Sequence, residues 1–179
     1  MVCVPRHWFE KEEDLQQLPA TEKKCWLDAC LEELKALKKC GVYELVDLPK
    51  GRRAIKNCWV FNQKGDGRLQ ARLVANGFSQ VKGIDFDELF SPVVRYKTAR
   101  LLFGVATLED WDMFSVDVKT AYLYGKLDEE IYMQQPEGFI IPGMENKVWR
   151  LRRALYSLKQ AGLSCWKEPT ASMTEIGFV

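Results

Sequence analysis

The sequence predicts an α+β fold, with helices packed on antiparallel strands. Three patterns carry the prediction. An amphipathic helical stripe lies near the front, a glycine-bracketed hairpin follows it, and short strands alternate with helical stretches beyond. In the first helix, Thr21 is a good N-cap residue and Glu22 places an acid in the first turn. Trp26, Cys30, Leu34 and Leu37 recur at helical spacing, so one face is apolar and faces a core. Lys38 and Lys39 suit the negative end of the helix dipole, and Gly41 can supply a left-handed cap, which bounds the helix at about 22–39.

A β region comes next. Residues 42–46 read as a strand and 47–51, Asp-Leu-Pro-Lys-Gly, as a turn. Residues 55–63 are rich in large and β-branched side chains and form a second strand. The loop 64–68 holds two glycines able to take positive φ, and 69–75 is the returning strand. Leu69, Ala71, Leu73 and Ala75 share one face, while Gln70, Arg72 and Val74 share the other. With a core under the first face, Arg72 points outward beside the basic loop. After a polar loop, 77–91, Thr98 can cap a helix to about Leu108 with Ala99, Leu102, Phe103 and Ala106 as its stripe. Residues 113–118 read as a buried strand ending near Asp117, followed by a short helix over 120–124. Strands are expected at 131–134 and 147–151, and a last helical stretch at 154–166.

Composition narrows the function. A hydrophobic content of 47% is that of a globular chain. No run of 18 apolar residues exists, and the N-terminus lacks the apolar centre of a signal peptide, so no membrane partner and an intracellular location are expected. The six cysteines form no C-x-x-C pair and the one histidine, His7, lies far from most of them. A zinc site is therefore not indicated, and reduced thiols are. Charge is segregated: residues 50–82 hold eight basic groups against one acid, while the flanking segments are both acidic. Such a block either binds a polyanion by releasing its counterions or is a solvated hairpin.

The sharpest local feature is Asp117, an acid at the end of an apolar strand and before a polar turn. A carboxylate so placed must be paired, hydrogen-bonded or metal-bound. Spacing by itself leaves a cap, a turn residue and a metal ligand open.

The strings VDVKTAYLYGKLDEEIYMQQPEGF (116–139), ARLVANGFSQVKGIDFDELFSPVVR (71–95), IKNCWVF (55–61) and VWRLRRALYSLKQAG (148–162) resemble copia-type retrotransposon reverse transcriptases, in the family's order. The likeness runs from about Glu22 to Val179; residues 1–20 stay unassigned. The resemblance implies a right-hand polymerase, an incomplete domain with a fingers-like part over about 42–95 and a partial palm and fingers over about 96–179. It implies RNA-templated DNA synthesis, with Asp117 as the first palm aspartate holding Mg²⁺ or Mn²⁺. Arg72, with Lys64 and Arg68, would lie near the incoming triphosphate or template. The amides around Thr120 and Ala121 would face the triphosphate, Tyr122 would exclude a ribose 2′-hydroxyl or else be a core aromatic, and Gln160 would contact nucleotide or template. Partners implied are an RNA/DNA primer–template, dNTPs and the rest of a Pol polyprotein with integrase and ribonuclease H. The setting implied is cytoplasmic, in virus-like particles, with the nucleus as alternative.

The chain also departs from the family pattern. It contains no Asp-Asp pair, whereas the family places two further catalytic acids in a Tyr-x-Asp-Asp hairpin. The expectation is therefore a fragment without polymerase activity of its own, the alternatives being a nucleic-acid-binding remnant or an inert product. Gln70 and Asn76 stand where the family usually has Lys, Ser157 where it has Gly, and Gly162-Leu163 where it has Pro-Arg.

Overall fold

Helix α1 (Ala20–Lys39) opens the part of the chain that the computed structural model describes, residues 19–115, 118 and 120–178. Its N-cap is Pro19, so Thr21 lies inside the first turn and does not cap it. The reason is local: proline's fixed φ leads directly into the helix, and its carbonyl already accepts the Lys23 N–H at 3.0 Å. The other end follows the expectation. Gly41 has φ 63°, its N–H donates to Lys38 O, and Val42 N–H donates to Leu37 O. This is a Schellman closure, with Leu37 and Val42 both fully buried as its apolar clasp.

Five strands follow in two sheets. β1 (Tyr43–Asp47) and β4 (Lys126–Met133) flank β5 (Lys147–Arg153) in an antiparallel sheet of order β1-β5-β4. β2 (Asn57–Gln63) and β3 (Leu69–Ala75) form the hairpin, in register from Asn57↔Ala75 to Gln63↔Leu69. Ile55 stitches the sheets together: its N–H donates to Tyr132 O at 2.8 Å and its carbonyl accepts Gln134 N–H at 2.9 Å. The β3 alternation holds, with Ala71, Leu73 and Ala75 buried and Arg72 exposed. Trp26, Cys30 and Leu37 of α1 share one apolar core with Phe61, Leu73, Ile131, Trp149, Leu151 and Leu155.

Three expectations are corrected. Helix α2 (Tyr96–Leu108) begins before Thr98, whose N–H donates to Arg95 O inside the first turn, so Thr98 is not its cap. Of the α2 stripe only Ala106 is buried; Leu102 and Phe103 are 57% and 54% exposed. Residues 113–115 form no strand, and Phe114 is 90% exposed. A strand exists only with a ladder partner, and none of β1–β5 pairs with them. Of the remainder of that expected strand, Val118 is in no strand either, and Val116 and Asp117 lie outside the described residues.

The last helix is displaced as well. Helix α3 (Ala161–Glu175) covers only the end of the expected 154–166 stretch and continues through Pro169. Residues 154–160 turn instead, because Tyr156 bridges Val74 of β3 and Ser157 takes φ 66°, which no right-handed helix accommodates. Between the sheets and α3, the expected short helix is a 3₁₀ turn, Ala121–Tyr124.

Candidate functional site

Two expected site residues, 50 positions apart in sequence, meet at one ring. The Arg72 guanidinium carbon lies 5.4 Å from the centre of the Tyr156 ring. The Tyr122 ring lies 5.7 Å from the same ring, tilted at 55°. Arg72 arrives there because it alternates outward on β3; Tyr122 arrives on the 3₁₀ turn whose Leu123 is fully buried. Tyr156 is held from behind, its carbonyl accepting the Ala75 N–H at 3.0 Å.

The fourth member is Glu33 of α1. It accepts the Leu73 N–H on the outer edge of β3 at 3.4 Å, so a helix side chain covers an unpaired strand edge. Burial pushes its carboxyl above the ordinary range; the Leu73 hydrogen bond and the Arg72 charge oppose this and do not cancel it. The Tyr156 hydroxyl is also pushed up, first by burial and then by the Glu33 charge, with Arg72 opposing. The result is an exposed cation on an aromatic shelf with one half-buried carboxylate beneath it. No carboxylate pairs with Arg72 within 4 Å among the described residues. Arg72 shares a side-chain hydrogen bond with Tyr156 beside the ring contact, and the rest of its donor fork is available for phosphate.

Lys64 and Arg68 sit apart from this cluster, at the hairpin tip. Arg68 is engaged within the loop, its Nε donating to Asp66 at 2.7 Å and its backbone N–H to the other oxygen at 3.1 Å. This pair holds the Asp66 carboxyl below the usual carboxylate range. Lys64 and Arg68 line a shallow groove with Glu32 and Glu33 of α1, so the tip faces acids as well as solvent. Four residues of strand separate Arg68 from Arg72, roughly 13 Å, so the three cations form a row, not a knot.

Thr120 stands at the head of the 3₁₀ turn in the left-handed region, φ 54° and ψ 35°. Its carbonyl accepts the Leu123 N–H at 2.8 Å. Thr120 is exposed and Ala121 half-buried, so both border the Tyr122 side of the cluster. Asp117 lies outside the described residues. Among those described, no group of three or more His, Cys, Asp or Glu side chains could hold a metal ion. The described residues thus form no metal centre by themselves.

Gln160 is 2% exposed, and its amide is engaged by protein groups. Its Nε2 donates to Asp85 O at 2.8 Å and to Glu129 at 3.2 Å, while its oxygen accepts from Gln80 at 3.0 Å. Gln80 in turn accepts the Lys159 N–H at 2.8 Å. This network pins loop 80–86 to the start of α3 and engages the Gln160 amide with protein groups. Gln160 itself lines a cavity of about 200 Å³ with Asp87, Glu88, Asp128 and Glu129, with Lys167 as the one cation among its described lining residues and Leu163 in its wall. Leu163 stands where the resemblance to copia-type reverse transcriptases implies arginine, so the acids lack that counter-charge.

Elsewhere two of the four cations of β5 are paired with acids. Arg150 pairs with Glu130 at 2.6 Å and with Glu44 at 3.5 Å, and Arg152 pairs with Glu44 at 2.6 Å. Sequence reasoning missed Tyr156, Glu33 and Gln80. For Tyr156 a signal existed: a position usually glycine follows it, which marks a turn where a helix was expected.

The chain matches the family model described as reverse transcriptase (RNA-dependent DNA polymerase) over residues 40–178. It is 48% identical over 157 residues to the retrovirus-related Pol polyprotein from transposon TNT 1-94 of Nicotiana tabacum, covering 85% of this chain and 12% of the relative. It is 38% identical over 168 residues to that from transposon RE1 of Arabidopsis thaliana, covering 90% of this chain and 12% of the relative. For transposon RE2 of Arabidopsis thaliana the values are 38% over 160 residues, 86% and 11%. The chain therefore spans about an eighth of the length of these curated relatives. No solved structure matches it. With the matched region covering most of its length, the chain belongs to the reverse transcriptase (RNA-dependent DNA polymerase) family.

Proposed function

We propose that this chain is the fingers and part of the palm of a copia-type RNA-directed DNA polymerase, and that its Arg72–Tyr122 cluster receives the incoming nucleoside triphosphate. One observation carries the reading: an outward arginine on the hairpin and an aromatic just beyond Asp117 converge on the Tyr156 ring. In this reading residues about 42–95 are fingers-like and about 96–179 belong to a partial palm and fingers. Arg72 supplies a fixed positive charge for the triphosphate, and Lys64 and Arg68 extend it toward the template strand. Thr120, Ala121 and Tyr122 would border the sugar and phosphates. Asp117 would hold Mg²⁺ or Mn²⁺, whose chemistry in such enzymes is to activate the primer hydroxyl and steady the leaving pyrophosphate. The remainder of a Pol polyprotein, with integrase and ribonuclease H, would complete the working assembly, inside the cell.

The test has two arms. Retention of a primed RNA template by the purified chain should weaken steeply with salt, and Arg68→Ala with Arg72→Ala should reduce the salt slope by about two. Affinity indifferent to both would remove the nucleic-acid reading. In primer extension with dNTPs and Mg²⁺ or Mn²⁺, the 179 residues alone should yield no product, because they hold one matching palm acid and no Asp-Asp pair. Template-dependent extension lost in Asp117→Ala would overturn that second statement and leave the first intact.

A further inference from the structure

We propose that Tyr156 is a positioning residue for the triphosphate: its ring sets where Arg72 and Tyr122 stand relative to each other. This rests on the reading of those two residues as nucleotide-facing. The backbone of Tyr156 is fixed twice over. It bridges Val74, with its carbonyl accepting the Ala75 N–H at 3.0 Å, and the preceding Ala154 and Leu155 are fully buried. The next residue, Ser157, packs its carbonyl so tightly on Gly77 that any Cβ there would collide with it. A ring on such a base cannot drift.

The polar end of Arg72 is tied to Tyr156 itself, by a side-chain hydrogen bond beside the ring contact. Arg72 is a long, exposed side chain that loses rotamer freedom only by lying on a surface. The Tyr156 face is that surface, at 5.4 Å. Tyr122 is 42% exposed and meets the same ring at 5.7 Å. One shelf therefore orients the cation that would meet phosphate and the aromatic that would meet sugar, although they come from elements far apart in the chain. Glu33, which accepts the N–H of the adjacent Leu73, acts electrostatically on both Arg72 and Tyr156.

The experiment uses the full chain with Tyr156→Phe and Tyr156→Leu, each alone and with Arg72→Ala. The first readout needs no ligand: the Arg72 Nε–H resonance, assigned with Arg72→Lys. It should keep its ring-current shift and restricted motion in Tyr156→Phe and lose both in Tyr156→Leu. The second is binding of dUTP, inorganic triphosphate and UTP. Tyr156→Leu should weaken dUTP and triphosphate about two- to five-fold and narrow the dUTP-over-UTP preference, while Tyr156→Phe, which keeps the ring and loses only the hydroxyl's bond to Arg72, should stay nearer wild type in both. In the Arg72→Ala background Tyr156→Leu should cost no further triphosphate affinity. An Arg72 resonance unmoved by Tyr156→Leu, or additive losses in the double variant, would overturn the proposal while leaving Arg72 as a nucleotide contact. A wild-type chain that binds none of the three ligands would instead overturn the nucleotide reading, with the resonance still deciding whether Tyr156 positions Arg72.

Discussion

Helices α1 and α2 both carry an apolar stripe, and the two stripes meet opposite fates. In α1, Trp26, Ala29, Cys30 and Leu37 are buried against the hairpin and the β1-β5-β4 sheet. In α2, Ala106 is buried while Leu101, Leu102, Phe103 and Leu108 stay exposed. The exposed surface continues into Trp111, Met113 and Phe114. Periodicity of 3.6 says that a helix forms and which face is apolar. Whether that face is covered depends on what stands opposite, which no local pattern encodes.

The comparison breaks most visibly under truncation of one leucine on each side. Leu73 is fully buried where α1 crosses β3. Leu73→Ala should cost about 2–5 kcal/mol by denaturant unfolding, the loss of burial plus a cavity. Leu102→Ala on α2 should stay within about 0.5 kcal/mol, since its side chain already meets water. A large loss from Leu102→Ala would mean that α2 is covered in solution, by another copy or by residues outside those described.

The next largest effect belongs to the junction under Tyr156. A Cβ at Gly77 would run into the Ser157 carbonyl, a backbone atom that cannot step aside. Gly77→Ala should cost about 1–3 kcal/mol through that overpacking. The same junction holds a correctable strain. Ser157 sits at φ 66°, a conformation that costs a residue with a Cβ about 1 kcal/mol. Ser157→Gly should raise stability by about that amount; no gain would mean the serine side chain has a compensating bond there.

Much of this architecture was readable in advance. The hairpin's strand limits at Gln63, Leu69 and Ala75, its facing and the Gly41 cap follow from period-two alternation and positive-φ glycines, both local properties. The failures are tertiary. Ala154–Gln160 reads as helix because Ala, Leu and Lys favour one, yet the Tyr156–Val74 bridge and the left-handed Ser157 override that preference. Likewise, the sequence marks Arg72 as outward but cannot show that its shelf is Tyr156, 84 positions later, or that Gln160 turns inward to Gln80 and Asp85.

The smallest effect tests why α1 accepts a carboxylate beside its buried stripe. Glu33 has its carboxyl raised above the ordinary 4.5, with burial as the largest cause. An acid whose folded value is raised favours folding below 4.5, and that contribution is lost as pH rises through the folded value. Ionised Glu33 is therefore a mild liability at neutral pH. Glu33→Gln keeps an oxygen for the Leu73 N–H and removes the charge, so at pH 7 it should raise stability by about 0.5 kcal/mol or less. The gain should vanish by about pH 4. Glu44, half-buried on β1, supplies the opposite sign: Arg152 and Arg150 lower its carboxyl, so Glu44→Gln should lose stability at pH 7 and approach wild type as acid protonates the native residue. Parallel unfolding curves at pH 4 and pH 7 for both variants read the two signs directly. If Glu33→Gln instead loses stability at pH 7, attraction to Arg72 outweighs burial, and α1 holds that strand edge by charge as well as by packing.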